Sequence, residues 1–172
     1  MELNFPIVFA AALIPLLVGF VYYHPKVFGN AWMKAAGVSA DGAKPNMILV
    51  FGLTYVFSVM LGVALLGIVI HQMGAYSMLV GQPGFDAKAA DSEAWQTFTA
   101  LMAKYGDRFR SFKHGAFHGT LAGIALALPI VTVNAMFERK SWKYIAINAG
   151  YWIVSLALMG GVICQWGITH YN

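Results

Sequence analysis

Charge is scarce in this sequence. Only 10% of its 172 residues are Asp, Glu, Lys or Arg, where an average soluble domain carries about a quarter. A surface with so few charges meets something other than water over much of its area. Cysteine is scarcer still. Cys164 is the single one, which excludes an intramolecular disulfide and any Cys-x-x-Cys metal or redox motif. There is no His-Glu-x-x-His, no paired carboxylates, no phosphate loop, no nucleophile elbow and no dinucleotide fingerprint. These absences weigh against an enzyme of a motif-bearing class. The net charge of +4 is spread between apolar runs, an arrangement for phosphate headgroups and not for nucleic acid.

Hydrophobicity is what the chain has in quantity, at 59% of residues. Four runs carry no charged residue, at about 5–23, 47–70, 115–137 and 144–166. Each approaches or exceeds the ~20 residues that a helix needs to cross ~30 Å of hydrocarbon. Inside lipid every backbone N–H and C=O must be paired within the segment, so the runs must be helices. They lack the alternation of a barrel strand. The first run follows no basic stretch. It leads into Tyr22-Tyr23-His24-Pro25 without a small-residue cleavage site, so it reads as a retained span. The expected fold is a single all-α membrane domain over 1–172, with four transmembrane helices in two antiparallel hairpins. The short link Glu138-Arg139-Lys140 forces the second hairpin.

Two further helices are expected at the membrane interface. At about 26–36, Val27, Phe28, Ala31, Trp32 and Ala35 share a face, and Gly37 ends the helix. At about 92–105, Trp95, Phe98, Leu101, Met102 and Tyr105 recur at helical spacing behind a cap at Asp91 or Ser92. A polar turn with Asp41-Gly42 and Pro45 precedes the second span. Residues 72–112 form the long extramembrane loop, its first part irregular around Gly74, Gly81, Pro83 and Gly84. Both termini share a side with that loop. The short connections carry Lys26, Lys34, Lys44, Arg139, Lys140 and Lys143. The long loop carries Lys88, Lys104, Arg108, Arg110 and Lys113. Short loops weigh more in the positive-inside rule, which puts both termini on the non-cytoplasmic side.

Candidate site residues gather in the third span. Gly115, Gly119 and Gly123 recur every fourth residue and leave a flat strip for a close-packed helix, in this chain or in a copy. Pro129 bends the same span. Asn134 follows it, with an amide for the carbonyl freed by the proline or for another helix. Asn148 offers the same in the fourth span. His114 and His118 share one helical face, and the topology brings His71, at the end of the second span, to their side. These three imidazoles are candidate ligands for zinc or copper, or for haem iron. Histidines at span ends more commonly bond neighbours or headgroups, so the first expectation is no cofactor. A proton relay lacks an intramembrane carboxylate.

Gly19-Phe20-Val21-Tyr22-Tyr23-His24-Pro25, Phe28-Gly29 and Trp32-Met33-Lys34 open a pattern. It continues in Phe112-Lys113-His114-Gly115-Ala116-Phe117-His118-Gly119, Phe137-Glu138-Arg139-Lys140 and Asn148-Ala149-Gly150-Tyr151-Trp152. Together these resemble domain-of-unknown-function family 1761 over nearly the whole chain. Tyr22 departs from it, standing where tryptophan is expected. The resemblance implies a small multi-pass protein of the bacterial inner membrane and implies no activity. The function the residues favour is a structural or accessory subunit that packs in the bilayer with itself or with a larger membrane complex. Behind it stand a small oligomeric permease or channel, and a metal- or haem-binding protein using His71, His114 and His118.

Overall fold

The computed structural model describes residues 1–39 and 45–170. The turn expected at Asp41-Gly42 lies outside the described residues. The chain is mostly helical, and four of its helical stretches are long and apolar enough to cross a membrane: Phe5–Tyr22, Met47–Val69, Phe112–Phe137 and Trp142–Trp166.

Proline shapes the first and third of these. Helix α1 (Phe5–Ala11) stops short of Pro15, and α2 (Ile14–Tyr22) begins with that proline in its first turn. A first-turn position needs no donor, so the missing N–H costs nothing there. In the third stretch, α7 (Phe112–Ala122) passes into a π-helical turn, Gly123–Ala127, before α8 (Leu128–Phe137). The widened turn lets Pro129 enter at the start of α8, where its ring meets no preceding carbonyl at helical spacing.

A π turn at Pro25–Gly29 and α3 (Asn30–Ala36) follow the first stretch, and Gly37 closes α3 with φ 74. This is the left-handed cap that glycine adopts without strain. Asn46 caps α4 (Met47–Val69), its side chain accepting from the N–H groups of Ile48 and Leu49. Ile70 is then extended (φ −112, ψ 100), and α5 (His71–Leu79) starts at once. The region around Gly74 is therefore helical where an irregular loop was expected. Gln72 explains it: its buried amide donates to the carbonyls of Gly106 (2.7 Å) and Arg108 (2.9 Å), anchoring α5 to a distant turn.

Ser92 caps α6 (Glu93–Tyr105) through the Trp95 N–H. Part of its apolar face is covered, while Leu101 and Tyr105 stay exposed. Phe98 and Met102 pack with Phe85 and with Tyr76 and Leu79 into a small core of their own. The helix thus closes over α5.

Helix α9 (Trp142–Trp166) is the centre of the bundle. It packs against α1, α2, α4, α7 and α8. More than half of its apolar window is buried, against about a fifth in each of the other three stretches. Its Leu156, Met159, Ile163 and Cys164 meet Val8, Leu65, Leu66 and Val69 in the main core.

The all-α expectation misses one feature. Strand β1 (Glu2–Leu3) pairs antiparallel with β2 (Ile168–His170), Glu2 opposite His170. The ends of the first and fourth stretches meet here, and their last backbone groups satisfy one another. Arg110 joins this end, its Nη2 donating to the Ile168 carbonyl (3.4 Å). At the other end Lys140 Nζ donates to the Ala36 carbonyl (2.7 Å), tying the two short connections together.

Candidate functional site

Three histidines meet at the end of the bundle that carries the termini. His71 is the first residue of α5, turned there by the extended Ile70. His114 and His118 stand one turn apart on α7, whose start is fixed by Ser111 Oγ accepting from the His114 N–H (3.3 Å). Ligand atoms of the three rings lie within 4.8 Å of one another. His71 Nε2 and His114 Nε2 are 2.8 Å apart and share a hydrogen bond. Ring centroids are separated by 5.0 Å (71 to 114), 5.0 Å (71 to 118) and 4.5 Å (114 to 118).

Aromatic neighbours hold the rings. Phe109 stacks on His114 (4.9 Å, 22° between planes) and meets His71 edge-on (5.6 Å). Phe117 meets His118 edge-on at 5.5 Å. Phe109 has a positive φ of 65. It is held there by Cys164 Sγ, which donates to its carbonyl (3.3 Å), and by the Gln72 bonds to the turn before it. The Arg108 guanidinium lies over the Phe109 ring, 4.9 Å from its centroid. A hollow of about 300 Å³ opens beside His71, bounded by Gln72, Ala75, Tyr105, Arg108 and Phe109. Chemically this is a set of imidazole donors with no carboxylate among them. The rings converge on one point.

The chain matches the family described as "protein of unknown function (DUF1761)" over residues 7–164. It belongs to that family. No curated protein and no solved structure matches it. The three histidines, the glycine strip and Cys164 all fall inside the matched region of this DUF1761 protein.

The glycines of α7 face α9. Gly115 and Gly119 are buried, and a Cβ on Gly115 would land on the Gly160 carbonyl and the Cys164 side chain. Gly123, just past α7, also lies against α9, with 2.7 Å between a built Cβ and the Ile153 Cα. Pro129 and Asn134 are exposed. Asn134 bonds no described residue through its amide, and it borders a small hollow with Glu138, Tyr144, Asn148 and Trp152. It is far from the histidines along the same helical stretch.

Asn148 does the linking that either asparagine offered. Its Oδ1 accepts from the Tyr23 hydroxyl (3.1 Å) and the Trp32 indole (3.2 Å), and its Nδ2 donates to the Tyr144 carbonyl (2.8 Å). Tyr151 adds a bond from its hydroxyl to the Pro15 carbonyl (3.0 Å). The residues that sequence reasoning passed over are Gln72, Phe109 and Tyr151. Gln72 carried one readable signal, an uncharged polar side chain at the end of an apolar run. Phe109, between two arginines, carried none.

Proposed function

We propose that this DUF1761 protein spans the bacterial inner membrane four times, as two antiparallel hairpins with both termini outside the cytoplasm. In this reading it serves as a structural or accessory subunit, packing with copies of itself or within a larger membrane complex. Four long apolar helices support the membrane assignment. So do large side chains turned outward on them, such as Phe20, Ile48, Ile130 and Phe137, which lipid would cover.

The observation that carries the subunit reading is the first two turns of α4. Every residue from Met47 to Leu53 is exposed, so nearly two turns carry no buried face. Most helices of a bundle spend one face on their neighbours, and this segment spends none. The axis of the bundle supports the same choice over a lone conduit. Around α9 it is filled by Val8, Leu65, Met159 and Ile163, and a pore needs a polar line through that space.

The test is cross-linking in native membranes. Phe51→Cys or Leu53→Cys, in a Cys164→Ala background, is expected to yield a discrete higher-mass species on oxidation. A buried control, Leu65→Cys, is expected to yield none. Monomer alone at both outward positions, with a monomeric native mass in mild detergent, would reject the subunit reading.

A further inference from the structure

We propose that His71, His114 and His118 form a three-imidazole site for a first-row divalent cation of the zinc type. The inference goes beyond the subunit reading and does not depend on it.

The placement begins with the glycines. Gly115 and Gly119 hold α7 against α9. The residue before each lies ~100° round the helix, so His114 and His118 turn away from that contact. They meet α5, whose first residue is His71. Two independent restraints keep α5 in reach: the extended Ile70 and the Gln72 bonds to residues 106 and 108. The donors come from two separate elements, with His71 and His114 43 positions apart in the chain. Local sequence alone does not gather them.

The distances fit an ion with modest adjustment. Zinc binds imidazole nitrogen at about 2.0–2.1 Å, so donors on a tetrahedron stand roughly 3.3 Å apart. Here one pair is at 2.8 Å and all lie within 4.8 Å. Rotation about the broad terminal torsions of histidine covers such differences. Packing explains the arrangement less well. Histidines that serve only structure bond backbone or acidic partners, whereas here His71 and His114 bond each other. His118 has no hydrogen bond to any described residue, yet its ring stands edge-on to His71 and tilted against His114, with Phe117 edge-on behind it.

The donor set selects the metal class. Imidazole suits zinc and copper, while magnesium and calcium require oxygen ligands. Cys164 is turned to the Phe109 carbonyl, so thiolate is outside the donor set. Three protein ligands leave a fourth coordination position open. His71 is the exposed member of the set, and the hollow beside it gives a small exogenous ligand access.

The experiment uses the full chain, purified in mild detergent without a histidine tag, stripped by a chelator and titrated with Zn²⁺ against a chromophoric competitor. One tightly bound zinc per chain is expected. His71→Asn, His114→Asn and His118→Asn are each expected to weaken binding on the order of 100-fold or more. His24→Asn, at the other end of the molecule, is expected to leave it unchanged. Far-UV circular dichroism and elution volume confirm that each variant is folded. X-ray absorption on the wild-type zinc form supplies a readout independent of any variant, with three nitrogen-ring scatterers expected. A shell of oxygen or sulfur alone overturns the site. So does affinity that the three folded variants leave unchanged.

Discussion

Replacing Gly119 with alanine puts one methyl group between two helix backbones. A Cβ at that position would sit 2.7 Å from the Leu156 carbonyl carbon and 3.0 Å from the Ala157 Cα, and nearer still to the Leu156 oxygen. All of these are backbone atoms of α9, which no side-chain rotation moves aside. Relief requires α7 and α9 to separate by roughly 1 Å, and a gap of that size forfeits a quarter to a half of the dispersion well for each atom pair along it. Overpacking of this kind costs about 1–3 kcal/mol. Alanine returns about 0.5–1 kcal/mol through its better helix propensity. The net expectation is destabilisation by about 1–2 kcal/mol.

Gly52 and Gly67 make the comparison sharp. Both are helical in α4 and nothing lies within 4 Å of a Cβ built on either. Only the propensity gain operates there, so Gly52→Ala and Gly67→Ala are expected to be neutral or stabilising by up to about 1 kcal/mol. Reversible unfolding in mixed micelles with increasing SDS, followed by circular dichroism, measures all three. The opposite sign at 119 and at 52 is the decisive result. If Gly119→Ala tracks Gly52→Ala, the α7–α9 contact is not as close as described and the reasoning fails.

Two further expectations concern the opposite end and the orientation. Asn148→Ala leaves the Tyr23 hydroxyl and the Trp32 indole without their shared acceptor, at a cost of about 1–2 kcal/mol. Unfolding of Asn148→Ala at the wild-type SDS fraction, in the same titration, counts against the cluster. For orientation, single cysteines at the exposed Lys34 and Ala90, in a Cys164→Ala background, are probed with an impermeant maleimide in intact cells. Labelling at 90 and protection at 34 are expected, and the reverse pattern puts the termini in the cytoplasm.

The four long apolar helices were readable because the cost of unpaired backbone in lipid leaves a long uncharged run only one regular form. Their boundaries are finished by caps that the uncharged runs did not mark, Asn46 before α4 and Ser141 before α9, which starts α9 at Trp142 and not at about 144. The break at Ile70 was not readable. Val69-Ile70-His71-Gln72 contains no glycine or proline, and the chain turns there because Gln72 finds carbonyls more than thirty residues away. The terminal ribbon was too short to show any alternation. Asn134 and Asn148 looked alike, each a lone amide in an apolar run. Which of them finds partners depends on how its helix is rotated about its own axis, and that is set by packing. For α9 the rotation brings Asn148 to Tyr23 and Trp32. For α8 it leaves Asn134 outward.

The histidines and glycines show how one of these readings constrains the other. A strip of glycine every fourth residue can serve a copy as well as a neighbour. Here Gly160 answers it from α9, its own Cβ position lying 3.1 Å from the Gly119 Cα. The contact is reciprocal and leaves no room for a second chain. The proposed assembly would then use another surface, and the first two turns of α4, exposed from Met47 to Leu53, are the candidate. The same spent strip fixes the azimuth of α7, which is what turns His114 and His118 together toward α5. A change that loosens the strip should consequently weaken zinc binding without touching a ligand. A change in the first two turns of α4 should alter the proposed assembly and leave zinc affinity intact. The proposed subunit contact and the proposed metal site then fall on separate surfaces of one bundle, and loss of one is expected to leave the other intact.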